Sequence, residues 1–247
     1  MDSLRRYGGL QEIKVYDTTE LYGEKGRFRV MEFNNQAIQG ALDLNRPKRV
    51  VFEYPRAIIH LMECNNSFFA DVFAIGHGIG TIPGYFADKR FKVAEINAEV
   101  VELSRRSFGY TLDNVEIGDG RLILEHEPAN RYDYIILDAF TAKGTPQHLT
   151  SDGFFRMTRS KLHPQGSIIM NLMGKGGHDP LIGAIHTTLS GEYAYIKTFA
   201  LRSGGAAGML NILMMGSSRP IRYQARHLAG FTEIHPAPGY IIGDTCE

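Results

Sequence analysis

The apolar positions of this chain change period near residue 54. Before it they alternate with polar ones. Gln11-Glu12-Ile13-Lys14-Val15 reads as a strand, and so does Arg27-Phe28-Arg29-Val30. Between them Tyr22-Gly23-Glu24-Lys25-Gly26 has turn chemistry, and Gln36-Ala37-Ile38-Gln39 suits a third short strand. Three such strands predict an antiparallel sheet too small to be stable unless it leans on another part of the fold.

From Tyr54 onward the pattern is that of alternating strands and helices. Ala57, Ile58, Leu61 and Met62 have helical spacing. Apolar runs predict strands at 71–75, 91–96, 115–117, 134–137, 167–172, 194–200 and 210–215. Between them the pattern predicts helices from Thr81 or Ile82, from an Asn97 N-cap, over 151–162 ahead of His163-Pro164-Gln165-Gly166, and over 180–189. Alternating units of this kind demand a mostly parallel sheet covered by helices on both faces. The last two strands, joined through Gly204-Gly205, predict a hairpin that puts one antiparallel strand into that sheet. The expected organisation is an N-terminal β domain over 1–52 and an α/β domain over 53–247.

Composition narrows the class. The 247 residues are 43% hydrophobic and 22% charged, as in an ordinary globular protein. The 27 basic and 27 acidic residues cancel, which argues against a nucleic-acid partner. No apolar run approaches the roughly 18 residues of a membrane span, and Met1 to Arg6 leads into no signal-peptide core. Two cysteines, Cys64 and Cys246, are too few for a disulfide framework, so a reducing cytoplasm is expected. The nine histidines form no HxxxH or HExxH pair, so no metal is expected.

Candidate chemistry sits at the carboxyl ends of four predicted parallel strands, where open α/β sheets bind ligands. Gly76, Gly78 and Gly80 fall between a strand and a helix, where backbone can turn sharply and approach a ligand. Glu95 ends the next strand and is placed to accept two ribose hydroxyls. Asp119, in the turn Gly118-Asp119-Gly120, is placed to accept an exocyclic amine such as that of adenine. Asp138 ends the fourth strand and is placed to hold a cationic amine or take its proton. Together the four segments predict an adenosine-containing ligand and transferase chemistry. Structural alternatives exist for each: a ligand-free turn, a solvated carboxylate, a turn aspartate and a helix cap. His77 is read as merely tolerated in the glycine loop, and Lys143 as a solvated loop residue rather than part of a lid.

Read together, these residues resemble the spermidine synthase family of polyamine aminopropyltransferases, which carry a methyltransferase-type fold behind a small β domain. The resemblance is closest over 93–108. It extends through Val115 to Arg121 and through Asp138 to Leu149, and to Ala37-Ile38-Gln39 and Phe52-Glu53-Tyr54. It implies a seven-stranded, mostly parallel sheet of the class I S-adenosylmethionine-dependent methyltransferase type. Glu95 would hold the ribose, Asp119 and Gly120 the adenine, and Gly76, Gly78 and Gly80 the loop beneath the donor. Gln39 and Tyr54 would close the pocket, and Asp138 would act on the attacking amine. The co-substrate would be S-adenosylmethionine or its decarboxylated form, the partner a small-molecule amine, and the assembly a homodimer.

Three positions depart from the family pattern. Ile79 and Thr141 stand where the resembled enzymes carry Asp, and Pro55 follows the tyrosine. A polycationic acceptor would therefore need other anions, with Asp43, Glu53 and Glu63 as the candidates. The pattern leaves open a methyltransferase and a non-catalytic nucleoside-binding protein beside the aminopropyltransferase reading.

Overall fold

A computed structural model describes residues 12–33, 37–140, 144–201 and 208–244. Thr141, Lys143, Gly204-Gly205 and Cys246 lie outside the described residues. Near the N-terminus, β1 (Ile13–Leu21), β2 (Glu24–Phe33) and β3 (Ala37–Asp43) form an antiparallel sheet in the order β1-β2-β3. The turn between the first two is shorter than the sequence predicts. Only Tyr22 and Gly23 make it, both at positive φ (48° and 80°), with Leu21 paired to Glu24. Two left-handed residues match the twist of a tight hairpin, which lets Glu24 to Gly26 join the strand.

The remaining elements are α1 (Glu53–Asn65), β4 (Asp71–Ile75), α2 (Thr81–Tyr85), β5 (Arg90–Glu95), α3 (Ala98–Phe108), β6 (Val115–Ile117) and α4 (Gly120–Glu125). They continue with β7 (Tyr132–Leu137), α5 (Asp152–Lys161), β8 (Leu162–Gly174), α6 (Pro180–Leu189), β9 (Tyr195–Leu201), β10 (Leu210–Ser217) and β11 (Phe231–Ile234). Asn97 caps α3 as expected, its side chain accepting the Glu99 N–H at 3.0 Å. The sheet has eight strands among the described residues, not seven, in the order β11-β9-β10-β8-β7-β4-β5-β6. The additional strand is β11, antiparallel to β9 at the edge. It is only four residues long and carries little period of its own. The segment His163 to Gly166 is not a loop between elements. It lies inside β8 as an irregularity, with Tyr132 opposite Leu162 but Tyr134 opposite Ser167.

Alternation within the strands builds two cores. Phe73, Ile75, Ile135 and Leu137 face one way, onto Phe154, Phe155, Ile182 and Ile185 of α5 and α6. Val72, Ala74, Tyr134 and Ile136 face the other, onto Ala57, Ile58, Leu61 and Met62 of α1. The small sheet does lean on the large domain. Met31 packs with Val100, Leu103 and Phe108 of α3, joined by Val15, Leu42 and Ile79. No helix of the described residues is long and apolar enough to cross a membrane.

Between β7 and β4 the strand order reverses, which opens a crevice at the carboxyl ends of the strands. Backbone bonds continue the register just beyond it. Asp138 N–H donates to Ile75 O (2.8 Å), Gly76 N–H to Ala94 O (2.9 Å) and Gly118 N–H to Glu95 O (2.9 Å). Gly76 has φ +97°, and a Cβ there would stand 2.0 Å from the Asp138 carbonyl oxygen. Gly76→Ala is expected to cost more than about 3 kcal/mol through backbone strain and overpacking. Gly84→Ala, whose Cβ would meet nothing within 4 Å, is expected to be neutral or slightly stabilising. Urea denaturation of the two variants checks both.

Candidate active site

The strand order places Asp138, Gly76, Glu95 and Asp119 side by side along one edge of the crevice, so all four predicted segments converge. Their three carboxylates occupy three different environments.

Glu95 is 9% exposed and bound by main chain. His77 N–H donates to Oε2 and Asn97 N–H to Oε1, each at 2.9 Å. Burial pushes its carboxyl up, the N–H groups of Asn97, His77 and Ile96 pull it down, and the charge of Asp138 adds to the rise. The net direction is upward.

Asp138 has side-chain partners only. Asn171 of β8 donates its Nδ2–H to Oδ1 at 2.9 Å, and the Tyr54 hydroxyl donates to the same carboxylate. Burial raises the Asp138 carboxyl, and these two bonds offset the rise only in part. Tyr54 is held well above its usual range by burial and then by the Asp138 charge. The two residues predicted to act on the amine are thus hydrogen-bonded to each other.

Asp119 has two partners that its sequence position did not reveal. It caps α4, a helix absent from the sequence reading, with Oδ1 accepting the N–H groups of Arg121 (2.8 Å) and Leu122 (3.2 Å). Its Oδ2 accepts from His148 Nε2 at 3.0 Å. Burial pushes this carboxyl up, but the His148 bond and charge and the two backbone bonds outweigh it, and the group sits below its usual range. Arg121 extends the network. It donates to His148 O (2.8 Å) and to both carboxylate oxygens of Asp244 (2.7 and 3.1 Å). The segment after Asp138 is in this way fastened to α4 and to the C-terminal stretch.

The glycine loop owes much of its composition to crowding within the protein. A Cβ on Gly80 would stand 2.2 Å from the Tyr110 ring, and one on Gly120 would stand 2.4 Å from the Ile75 side chain. Gly78 has more room, its nearest neighbour being the Gln39 carbonyl at 3.4 Å. The main chain of β3 therefore lies over the loop, and this puts Gln39 at the site. His77 is not merely tolerated. It is 7% exposed, bonded through Nε2 to Ser104 Oγ at 2.8 Å and edge-on to Tyr110 with ring centroids 4.6 Å apart. Burial, then the nearby Arg105, depress its imidazole to about 4. It is neutral at physiological pH and ties the loop to α3.

The candidate replacement anions do not enter the crevice. Asp43 is bound by Arg46 (3.0 Å) and Arg49 (3.2 Å) and by two backbone N–H groups. Glu53 pairs with Arg56 at 3.0 Å, and Glu63 is exposed beside His60 and His227. Ile79 packs on Gly40 of β3 within the apolar cluster of Met31 and Leu42. Among the described residues no group of three or more His, Cys, Asp or Glu side chains is placed to hold a metal.

Comparisons with known proteins bear on the fold that carries this geometry. No protein-family model matches the chain. Over 159 residues it is 24% identical to the polyamine aminopropyltransferase of Neisseria meningitidis serogroup A, a match covering 60% of this chain and 59% of the relative. Over 128 residues it is 30% identical to putrescine N-methyltransferase 4 of Nicotiana tabacum, covering 47% of this chain and 33% of the relative. The chain thus spans three fifths or less of the length of these two relatives. Among solved structures it superposes on a "probable spermidine synthase" from Corynebacterium glutamicum with a TM-score of 0.71 at 23% identity, covering 86% of this chain and 80% of that one. It superposes on human methyltransferase-like protein 13, solved with SAH, with a TM-score of 0.58 at 18% identity, covering 72% of this chain and 90% of that one. The fold is the α/β fold shared by methyltransferases and spermidine synthases. Within that class its sequence is similar to polyamine aminopropyltransferases.

Two outcomes test the site as built. Asp138 is a carboxyl whose folded value lies above its unfolded one, so its ionisation opposes folding above that value and the cost disappears below the unfolded value. Asp138→Asn is therefore expected to raise the melting temperature at neutral pH, with the difference shrinking on acidification. Thermal melts across pH check the sign. Ile79→Asp puts a carboxylate into an apolar cluster without a partner and is expected to destabilise by about 1–3 kcal/mol. Denaturant titration measures it, and a neutral result would mean that Ile79 can swing into the crevice.

Proposed function

We propose that this protein is a transferase that binds decarboxylated S-adenosylmethionine or S-adenosylmethionine and transfers an aminopropyl group to an amine, the chemistry of polyamine metabolism. The observation that supports it best is the row of Asp138, Gly76, Glu95 and Asp119 on adjacent strand ends, with Tyr54 closing on Asp138. In this reading Glu95, held in place by two backbone N–H groups, turns its remaining lone pairs to the ribose hydroxyls. Asp119 Oδ2 keeps a lone pair beside His148 for the adenine amine. Ile96 and Ile117, both large apolar side chains exposed at the ends of β5 and β6, offer faces for the base. Gly78, Gly80 and Gln39 border the donor, and residues 1–52 act as a separate β domain over the acceptor side.

The chemistry follows from Asp138. An incoming ammonium gives a proton to this carboxylate, whose burial favours the protonated form. The freed lone pair forms a bond to the carbon next to the sulfonium. The carbon–sulfur bond breaks with its electrons left on sulfur, and a neutral thioether nucleoside leaves as the nitrogen becomes a substituted ammonium. Because the sulfonium is already activated, orientation and electrostatics are the enzyme's main contribution. A homodimer in the cytoplasm belongs to the same reading.

A methyltransferase is the second reading. It is favoured by Ile79, an uncharged side chain packed against β3 that cannot pair with an aminopropyl ammonium, and by the similarity to a putrescine N-methyltransferase. Calorimetric titration of methylthioadenosine, S-adenosylmethionine and its decarboxylated form into the wild type and Glu95→Gln decides. Tight binding of the decarboxylated donor, lost in the variant, is the expected result. Preference for the intact donor would make the protein a methyltransferase, and binding of none would overturn the site.

A further inference from the structure

We propose that the acceptor side of this crevice takes a primary amine bearing a single charged nitrogen on an apolar substituent, and that Asn171 binds that nitrogen together with Asp138. This rests on the transferase reading and narrows its acceptor. The starting observation is an orphan. Asn171 is 2% exposed, and its Oδ1 is buried without a hydrogen-bond partner among the described residues. Its Nδ2 is already committed to Asp138 Oδ1 at 2.9 Å, so the planar amide holds Oδ1 beside that carboxylate. A buried carbonyl left without a donor is unfavourable, and a bound N–H would relieve it. The Tyr54 hydroxyl is spent on Asp138 from the other side. An amine at this point therefore meets one anion and one neutral acceptor, which together satisfy one nitrogen.

Among the described residues a second charge finds no unpaired buried anion beside Asp138. Glu95 has both oxygens on main-chain N–H groups, Glu53 is paired with Arg56, and Asp43 is enclosed by Arg46 and Arg49. Ala139 and Phe140, which follow Asp138, are uncharged. Outward from Tyr54 the surface is aromatic instead. The Tyr54 and Phe52 ring centroids are 6.5 Å apart and those of Phe52 and Tyr22 are 6.1 Å apart, and Tyr22 is 79% exposed. A substituent running from the reactive nitrogen to solvent lies along these rings. An aliphatic or aromatic group gains contact there, whereas an ammonium held against the buried Tyr54 ring pays for desolvation before it reaches Glu53 and Glu32, whose charges act at the exposed Tyr22 end.

The test is calorimetry on the wild-type protein saturated with methylthioadenosine. 1-Aminobutane, 2-phenylethylamine and 1,4-diaminobutane are titrated in turn. Both monoamines are expected to bind at least about tenfold more tightly than the diamine. Asn171→Leu is expected to lose about tenfold or more in amine affinity while methylthioadenosine affinity stays unchanged, and Asn171→Asp to shift preference towards the diamine. Equal or tighter binding of the diamine by the wild type, or no binding of any amine to the saturated protein, overturns the proposal and leaves the nucleoside reading standing. Failure to bind methylthioadenosine at all overturns both.

Discussion

The carbonyl of Asp138 occupies the space in which residue 76 would carry a side chain. A Cβ at Gly76 would stand 2.0 Å from that oxygen. This contact joins the two halves of the crevice. The glycine loop leaves β4 directly beneath the residue that ends β7, so the loop and the buried carboxylate hold one fixed relation. The register of β4 with β7, Ile75 opposite Leu137, sets that relation. A slip of one residue would turn Asp138 to the other face of the sheet. The same register, carried to β5 and β6, brings Glu95 and Asp119 into line.

Three carboxylates along one edge would repel one another if all were equally exposed to the crevice. The fold treats each differently. Main-chain N–H groups fix the direction of Glu95 and offset only part of the rise that burial causes. Asp119 is neutralised by a helix start and by His148, and is the one held below its usual range. Asp138 receives only an amide and a phenol, neither charged, and burial keeps its proton affinity high. Environments that push similar groups apart in this way assign roles to them. The carboxyl with the weakest compensation is the one suited to exchanging a proton.

Much of this was legible in the sequence, because strand ends announce themselves. Mostly apolar runs of three or four residues that stop at Gly76, Glu95, Gly118 and Asp138 locate the crevice without any knowledge of tertiary contacts. The missed features share a different cause. The Gly118-Asp119-Gly120 pattern points to a turn carrying an exposed acceptor, but the Leu-Ile-Leu run after it is a short helix for which Asp119 supplies the cap. His77 had no periodic partner, since its bonds are to Ser104 and Tyr110, well along the chain in α3 and after it. The role of Asn171 was equally hidden, because a polar residue in an apolar strand has no local signature until β7 and β8 are paired. Sequence period reports which face a residue takes. It does not report which side chain on another strand waits there.

The two sides of the crevice are built from different materials. The proposed nucleoside side depends on backbone: N–H groups at 77 and 97, a helix start at 121 and 122, and glycines whose neighbours exclude any Cβ. Few substitutions there leave the fold intact. The proposed acceptor side depends on side chains at 22, 52, 54 and 171, which come from the small sheet, the start of α1 and the middle of β8. Position 79 joins the two. An isoleucine there adds apolar contact between the glycine loop and β3 and removes any charge from the crevice at that point. One residue therefore strengthens the contact between the small sheet and the large domain while offering no charge to an aminopropyl ammonium. An acidic residue at 79 would give up that contact, so the docking of the small sheet and the uncharged glycine loop are coupled through a single side chain.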